Sequence, residues 1–537
     1  MENSPAVLTG IKRACARPGE DECMDAFIAA LRDPACYAHP AKGVEVVETH
    51  ISWVLLAGEY AYKIKKPVKL PFLDFSTLAA RRHYCEEELR LNRRTAAALY
   101  LGVVPIAQTA RGPAVSASGA PIEYAVKMRR FATDALADEM ARRGALGPAQ
   151  IDAIAAALAG FHAAAPRAGP AGAYGSPAQI VAPAIGNFDQ IAALGAHPGV
   201  RARLDRLRAW TEGETRRLQP LFAARQAGGH VRECHGDLHL GNIAFIGGCA
   251  VPFDCIEFDP ALRWIDMMSE VAFLVMDLFA HGLPALAWRL LNACLEASGD
   301  YEGLAVLRFY LVYRAMVRAK IALLRTDAAA FDAYLALAGS LARAERPALL
   351  AMHGLAGSGK TTVAQALLER IGALRVRSDV ERKRLHGLPA SARSGSALGA
   401  GLYDAASSER TYARLEICAA AAVRSGYSVI VDAAFLRHEE RDRLRRLALR
   451  LGAEFLIVSC EARDAVLRER VARRAVQASD ASEAQVPVLE RQFVSRQPLT
   501  TDEAAATVCV NTGRDACRSQ GVEGVASRLA GRRMRII

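Results

Sequence analysis

The first residues whose types and spacing suit chemistry are His235-Gly-Asp-Leu-His-Leu-Gly-Asn242, followed by Val251-Pro-Phe-Asp-Cys-Ile-Glu257. Asp237 and Asn242 have the D-x-x-x-x-N spacing in which a carboxylate accepts a hydroxyl proton and an amide holds one Mg2+. Asp254 ends a short apolar run and is a second metal-binding candidate, because metals beside a triphosphate must neutralise charge on the β- and γ-oxygens. Zinc binding by His239 is set aside, since no further His or Cys stands at ligand spacing. A site of this kind also needs a lysine on an early strand and a glutamate on the next helix. Tyr62-Lys-Ile-Lys-Lys-Pro67 offers Lys63 and Lys65 on one strand face. Lys63 is expected to meet the nucleotide, with Glu88 of the Glu86–Glu88 run as its partner. Met128, in Tyr124-Ala-Val-Lys-Met-Arg129, is expected to give backbone and apolar surface to an adenine ring. The competing reading of the basic run is an exposed edge strand.

The second cluster is Gly354-Leu-Ala-Gly-Ser-Gly-Lys-Thr361, which satisfies GxxxxGK[ST] between an apolar strand and a helical run. Gly354, Gly357, Ser358 and Gly359 would let backbone N–H groups surround phosphate, and the helix opening at Thr361 and Thr362 adds its positive end. Lys360 would reach the β- and γ-phosphates and Thr361 would hold Mg2+. Asp379 is expected to close the second strand as a proton acceptor, with helix capping as its alternative. Asp432 ends Val429-Ile-Val-Asp432 at what looks like a Walker B, metal-binding position, with a purely structural role as its alternative. Arg470 and Arg474 share a helix face by their i,i+4 spacing and would neutralise the moving phosphoryl group from a lid, or form a solvated face. The run Arg437 to Arg450 reads as surface helix, and Ser482 with Gln485 reads as a capping box.

These clusters must be carried by more than one core. The chain has 537 residues, 52% hydrophobic and 23% charged, which fits a multidomain globular protein and excludes a mostly disordered chain. Its apolar runs are too short to span a membrane, and no secretory signal is visible at its start. Twelve cysteines without CxxC spacing suggest reduced thiols and a cytoplasmic setting, with Cys234 and Cys255 as buried apolar residues. Residues 347 to 537 hold 30 Lys+Arg against 21 Asp+Glu, a net of +9 out of the total +11. Lysine occurs only ten times, four of them from Lys63 to Lys69.

The pattern is weak to Val44. Strands are then expected at Ile51 to Leu56 and Tyr60 to Ile64, a helix from Leu78 to Tyr100, strands at Val103 to Gln108 and Tyr124 to Arg130, and mostly helices to Arg343. After Pro347, five strands (Ala348 to His353, Leu374 to Ser378, Ser428 to Val431, Glu454 to Val458, Thr507 to Val510) alternate with helices, which argues for a parallel sheet. The stretch Pro389 to Gly401 reads as a loop. The expected fold is multidomain, α+β then α/β: an extension at 1–44, a two-lobed domain at 45–343, and a P-loop parallel sheet flanked by helices at 344–537.

The HGDxxxxN segment with its downstream Asp resembles the aminoglycoside phosphotransferase family, a branch of the protein-kinase-like fold, over roughly residues 45 to 340. The family's Gly-rich loop has no counterpart before Lys63 beyond Gly58. The last 190 or so residues resemble the P-loop small-molecule kinases, which include gluconate kinase, zeta-toxin-type kinases and polynucleotide 5′-hydroxyl kinases. Together the halves resemble the bacterial bifunctional aminoglycoside phosphotransferase/ATP-binding proteins. The resemblance implies two ATP sites with Mg2+ and phosphoryl transfer to hydroxyl groups of small molecules, with Asp237 and Asp379 as bases. Two alternatives stand beside it. One half is a nucleotide-binding regulatory module, or the C-terminal half is a nucleic-acid end kinase, a reading its +9 suggests and its lack of interleaved aromatics opposes.

Overall fold

The computed structural model describes residues 20–70, 73–169, 172–195, 198–394, 401–477, 483 and 485–533. The chain packs as two units, Met1–His281 with Tyr310–Gly339, and Gly282–Phe309 with Ser340–Ile537.

In the first unit, β1 (Val44–Glu48), β2 (Ser52–Ala57), β3 (Tyr60–Lys65), β4 (Tyr100–Thr109), β5 (Gly112–Val115) and β6 (Pro121–Arg129) form an antiparallel sheet ordered β1-β2-β3-β6-β4-β5. Side chains alternate across a strand, so the sheet buries two faces. One face packs Cys85 of α1 (Leu78–Ala96) with Ala61, Tyr100, Val126 and Met128. The other packs Leu55, Tyr62 and Ile64 against Ile28, Leu31 and Tyr37. Those last residues come from the region with little sequence pattern. It holds the helix Glu20–Ala30 and the short 3-10 turn Pro34–Cys36, so part of it completes the sheet's covering. Helix α1 begins at Thr77, whose hydroxyl accepts the Ala80 N–H, and it stops at Ala96 rather than Tyr100. Tyr100 instead opens β4.

The rest of this unit is mainly helical, with α2 (Pro148–Ala164) and α3 (Met267–Ala280) among its helices. Two small antiparallel pairs flank the segment 235–242: β7 (Val231–Glu233) pairs with β10 (Trp264–Asp266), and β8 (Ile243–Ile246) pairs with β9 (Cys249–Pro252). The segment 235–242 lies between β7 and β8, and Asp254 follows β9.

In the second unit, β11 (Ala348–His353), β12 (Leu374–Arg377), β13 (Val429–Asp432), β14 (Glu454–Glu461) and β15 (Thr507–Asn511) form a parallel sheet ordered β12-β13-β11-β14-β15. The central strand β11 is almost fully buried, as a strand covered on both sides must be. All five expected strands are present. Helix α4 (Pro284–Ser298) also packs in this unit. The Asn292 amide donates to Ala373 O and its oxygen accepts the Arg375 N–H, while Glu296 pairs with Arg375 and Arg377. Helix α5 (Lys360–Ile371) follows the P-loop, and α6 (Ser378–Leu385) follows β12. In the helix His438–Arg450, Arg441 departs from a surface reading: it is fully buried and pairs with Glu503. Ser482 and residues 395–400 of the Pro389 to Gly401 stretch lie outside the described residues.

Candidate active sites

In the first unit β3 and α1 bring their charges together. Lys63 Nζ donates to Glu88 Oε1 at 2.9 Å and to Asp254 Oδ1 at 2.5 Å. Lys65 Nζ donates to the other Glu88 oxygen at 2.7 Å and also pairs with Glu257. Glu88 therefore holds both lysines of one strand face, and neither is an exposed edge cation. Burial alone would lower the Lys63 pKa, but Asp254, Glu88 and Glu257 more than offset it and hold the ammonium charged. Burial pushes the Asp254 carboxyl up, and Lys63 brings it below the ordinary value. The segment after β9 is fixed by residues the motifs did not mark. The Tyr100 hydroxyl accepts the Asp254 N–H at 3.2 Å, and Asn92 Oδ1 accepts the Cys255 N–H at 2.9 Å.

The loop that carries Asp237 is held from beneath. Glu270, on α3 and fully buried, accepts the N–H groups of His235 at 2.5 Å and Gly236 at 3.0 Å. Its second oxygen meets His162 Nε2 of α2 at 2.6 Å. Burial would raise this carboxyl, yet His162 and the loop amide bring it down to about 2. His235 Nε2 donates to Phe253 O at 2.8 Å, tying the Asp237 loop to the Asp254 segment. Asn242 Nδ2 donates to Asp237 O at 2.9 Å, and His239 caps the turn by accepting the Gly241 N–H through Nδ1. Asp237, Asn242 and Asp254 thus share one tethered loop system. Met128 is buried in the same cluster as Ala61 and Tyr100, with Phe131, Val251 and Phe253 packed against it. Strands β2 and β3 are joined by the two-residue turn Gly58–Glu59, between the pair Ala57 and Tyr60.

In the second unit Lys360 Nζ donates to Gly354 O at 2.8 Å and Leu355 O at 2.9 Å, folded onto its own loop. Burial lowers its pKa, opposed by Asp432 and Asp379 and reinforced by Arg474. Burial pushes the Asp432 carboxyl up, opposed by Arg375, Arg377 and Lys360 and by the nearby Thr361 hydroxyl. Asp432 Oδ2 and Ser358 Oγ are buried without a partner. These unmet polar atoms beside a lysine and a threonine suit a polyanion with its metal. Thr362 is solvent-exposed and lies in the first turn of α5. Asp379 does not close β12: that strand ends at Arg377, and Asp379 stands in the first turn of α6. The strand ends two residues before it, and the chain turns helical immediately at Ser378.

Helix α7 (Asp464–Gln477) holds Arg470, whose guanidinium is engaged: Nη1 donates to Thr512 Oγ1 at 3.0 Å and Nη2 to Thr512 O at 2.7 Å. Thr512 in turn donates to Ser358 O at 2.9 Å. Arg470 therefore braces the P-loop through Thr512, a residue that no motif marks. Helix α8 (Val486–Ser495) adds Gln492, which accepts the Ala356 N–H at 2.7 Å. Gly357, at φ 79, allows α7 to approach: a Cβ there would stand 2.8 Å from Leu467 O.

A family model described as an AAA domain matches residues 349–499. The chain is 32% identical over 462 residues to the uncharacterized protein Rv2004c of Mycobacterium tuberculosis, covering 84% of this chain and 91% of that protein. Among solved structures, a choline/ethanolamine kinase family protein from Mesorhizobium loti is 13% identical, with a TM-score of 0.37, covering 59% of this chain and 94% of its own. The aminoglycoside phosphotransferase APH(4)-Ia, as a thermostable mutant, is 14% identical with a TM-score of 0.37, covering 56% and 94%. The chain belongs to the family of the mycobacterial protein, and the AAA-domain match falls on its second unit, which carries the P-loop and the parallel sheet.

Proposed function

We infer that the protein is an ATP-dependent phosphotransferase with two nucleotide sites, each transferring a phosphoryl group to the hydroxyl of a small molecule. The observation that carries this reading is the convergence of Lys63, Glu88 and Asp254 beside the Asp237–Asn242 loop. Lys63 engages the ATP phosphates, and Glu88 holds it in place against the pull of Asp254. Asp237 accepts the proton of the acceptor hydroxyl, and its tether to Asn242 fixes where it does so. Asn242 and Asp254 would hold Mg2+ in the first unit, and Thr361 and Asp432 would hold it in the second, where the metal would offset phosphate charge. In the second unit Lys360 and Arg474 face the phosphates, Asp379 is the proton acceptor, and Arg470 keeps the loop in register.

Full-length protein with ATP and Mg2+ tests this. Asp237→Ala and Lys360→Ala should each remove part of the phosphoryl turnover, and the double variant should remove nearly all of it. Wild-type turnover in the double variant would sink the reading. The two-residue turn Gly58–Glu59 favours a second reading, in which no loop covers the phosphates of the first unit and that unit binds nucleotide without turnover. Turnover that survives Lys360→Ala and is lost on adding Asp237→Ala rules it out.

A further inference from the structure

The backbone N–H groups of successive residues after β9 go in two directions. Phe253 donates to Asn242 O at 3.0 Å and Ile256 to His235 O at 3.2 Å, both on the loop that carries Asp237. The two between them turn the other way: Asp254 donates to the Tyr100 hydroxyl at 3.2 Å and Cys255 to Asn92 Oδ1 at 2.9 Å. No strand or helix contains Asp254 and Cys255, so each of these amides depends on a single side chain. Asp254 also stands at φ 65, in the left-handed region that glycine takes freely and other residues rarely do. A residue persists there only when its surroundings over-determine it.

Tyr100 and Asn92 are each fixed independently of that segment. Tyr100 opens β4, pairs with Met128 across the ladder, and packs its ring in the cluster of Ala61, Cys85, Val126 and Met128. Burial, with the Glu88 and Asp254 carboxylates nearby, pushes its pKa well up, so it remains a neutral phenol. Asn92 is fully buried on α1, one helical turn after Glu88. Its Nδ2 donates to Glu88 O at 2.9 Å, which fixes the amide so that Oδ1 is the atom facing Cys255. The same helix therefore grips Lys63 through the Glu88 carboxylate and the Asp254 segment through Asn92.

The Asp254 carboxylate is also held by Lys63 at 2.5 Å. On the reading that Lys63 engages the phosphates of ATP, this ion pair is given up when nucleotide binds. Resting on that reading, we propose that Tyr100 and Asn92 are positioning residues: they keep Asp254 in its left-handed conformation when Lys63 lets go, so that its carboxylate stays aimed at the metal of the nucleotide. Both act through the 254 and 255 amides and leave the carboxylate free to change partners. Neither is marked by a motif, because their role is set by contacts more than 150 residues apart in the chain.

The test uses full-length Lys360→Ala protein, so that nucleotide binding reports the first unit. Tyr100→Phe is the main variant, because it keeps the ring and removes only the acceptor, and Asn92→Ala is the second. Hydrogen exchange of the 251–257 peptide, without nucleotide or metal, reads the backbone clamp alone. Tyr100→Phe should speed that exchange at least tenfold and leave exchange of the 354–361 loop unchanged. Titration with a fluorescent ATP analogue reads the consequence. Mg2+ should tighten binding to the parent protein, and Tyr100→Phe should raise the Mg2+ concentration for half of that effect at least fivefold. Affinity without Mg2+ should change less than twofold. Asn92→Ala should shift both readouts in the same direction. Parent-like Mg2+ dependence in Tyr100→Phe overturns the proposal even if Tm falls, because a role in packing alone predicts that result. Unchanged exchange of the 251–257 peptide overturns it as well. No binding of the analogue by the parent protein instead overturns the nucleotide reading of the first unit, and this proposal with it.

Discussion

Lys63 and Lys65 stand two residues apart on β3, share Glu88, and should nevertheless fail differently when removed. Lys65 is fully buried between Glu88 and Glu257, which are 0% and 4% exposed at their side chains. Lys65→Met leaves two carboxylates buried around one remaining cation, and breaking such a pair costs about 3–5 kcal/mol. Lys63→Met leaves Glu88 still paired with Lys65 and frees Asp254, whose side chain is 43% exposed. The expected outcome is a large fall in Tm for Lys65→Met. For Lys63→Met, a small fall in Tm should accompany loss of first-site ATP turnover. Unfolding scans with turnover assays on both variants would check it, and equal losses of Tm would show that the two lysines are not distinguished by burial. A titrating residue gives a second prediction. His353 ends β11 and its Nδ1 meets the Ser459 hydroxyl at 2.9 Å. Burial, with Arg441 and Lys360 nearby, lowers its pKa from 6.5 to about 4. The unfolded imidazole takes up a proton before the folded one does. This contribution to stability is therefore complete above about pH 6.5 and is lost as pH falls toward 4. Urea midpoints across that range should decline less steeply for His353→Asn than for the wild type.

Among the elements, the helix α4 makes the clearest demand. Its Asn292 gives and accepts hydrogen bonds at Ala373 and Arg375, Glu296 pairs with Arg375 and Arg377, and Trp288 packs on the sheet's core. A fragment of residues 344–537 loses all of these and leaves backbone groups around β12 unmet, whereas 282–537 keeps them. The longer fragment should unfold cooperatively and bind ATP, and the shorter should be markedly less stable or aggregate. Circular dichroism melts of the two fragments decide it. The strand and helix alternation after Pro347, the P-loop and the HGDxxxxN segment were legible in the sequence because each is written in local period and spacing. The grouping of α4 was not, because an amphipathic helix does not say which core it covers. Thr512 was equally silent: a lone threonine some 150 residues from Ser358 carries no local signal, and only folding brings its hydroxyl to that carbonyl. The placement of Asp379 at a strand end failed by the ordinary imprecision of element boundaries.

At the scale of the whole molecule, the +9 carried by residues 347 to 537 bears on whether that half grips nucleic acid. A nucleic-acid footprint requires free cations in a stripe, since affinity comes from neutralising phosphates and releasing their counterions. Here many of the arginines already have carboxylates. Arg370 pairs with Glu523, Arg443 with Glu409 and Glu416, and Arg445 and Arg446 with Asp442. Arg384 and Arg414 share Glu381, and Arg468 pairs with Glu490. The surface is thus laced with local ion pairs, and the excess charge is spread thinly. At the P-loop, Lys360 feels the opposite charges of Asp432 and Asp379 as well as the like charge of Arg474, so its field is largely offset locally. Binding of a 5′-hydroxyl oligonucleotide, followed by fluorescence anisotropy between 50 and 200 mM salt, should therefore be weak. The plot of log affinity against log salt should have a slope smaller in magnitude than about 2, against about 6 to 10 for a protein that neutralises that many phosphates. A slope in the steeper range would mean that the paired arginines exchange their carboxylates for phosphates, and it would return the C-terminal half to the nucleic-acid end kinases.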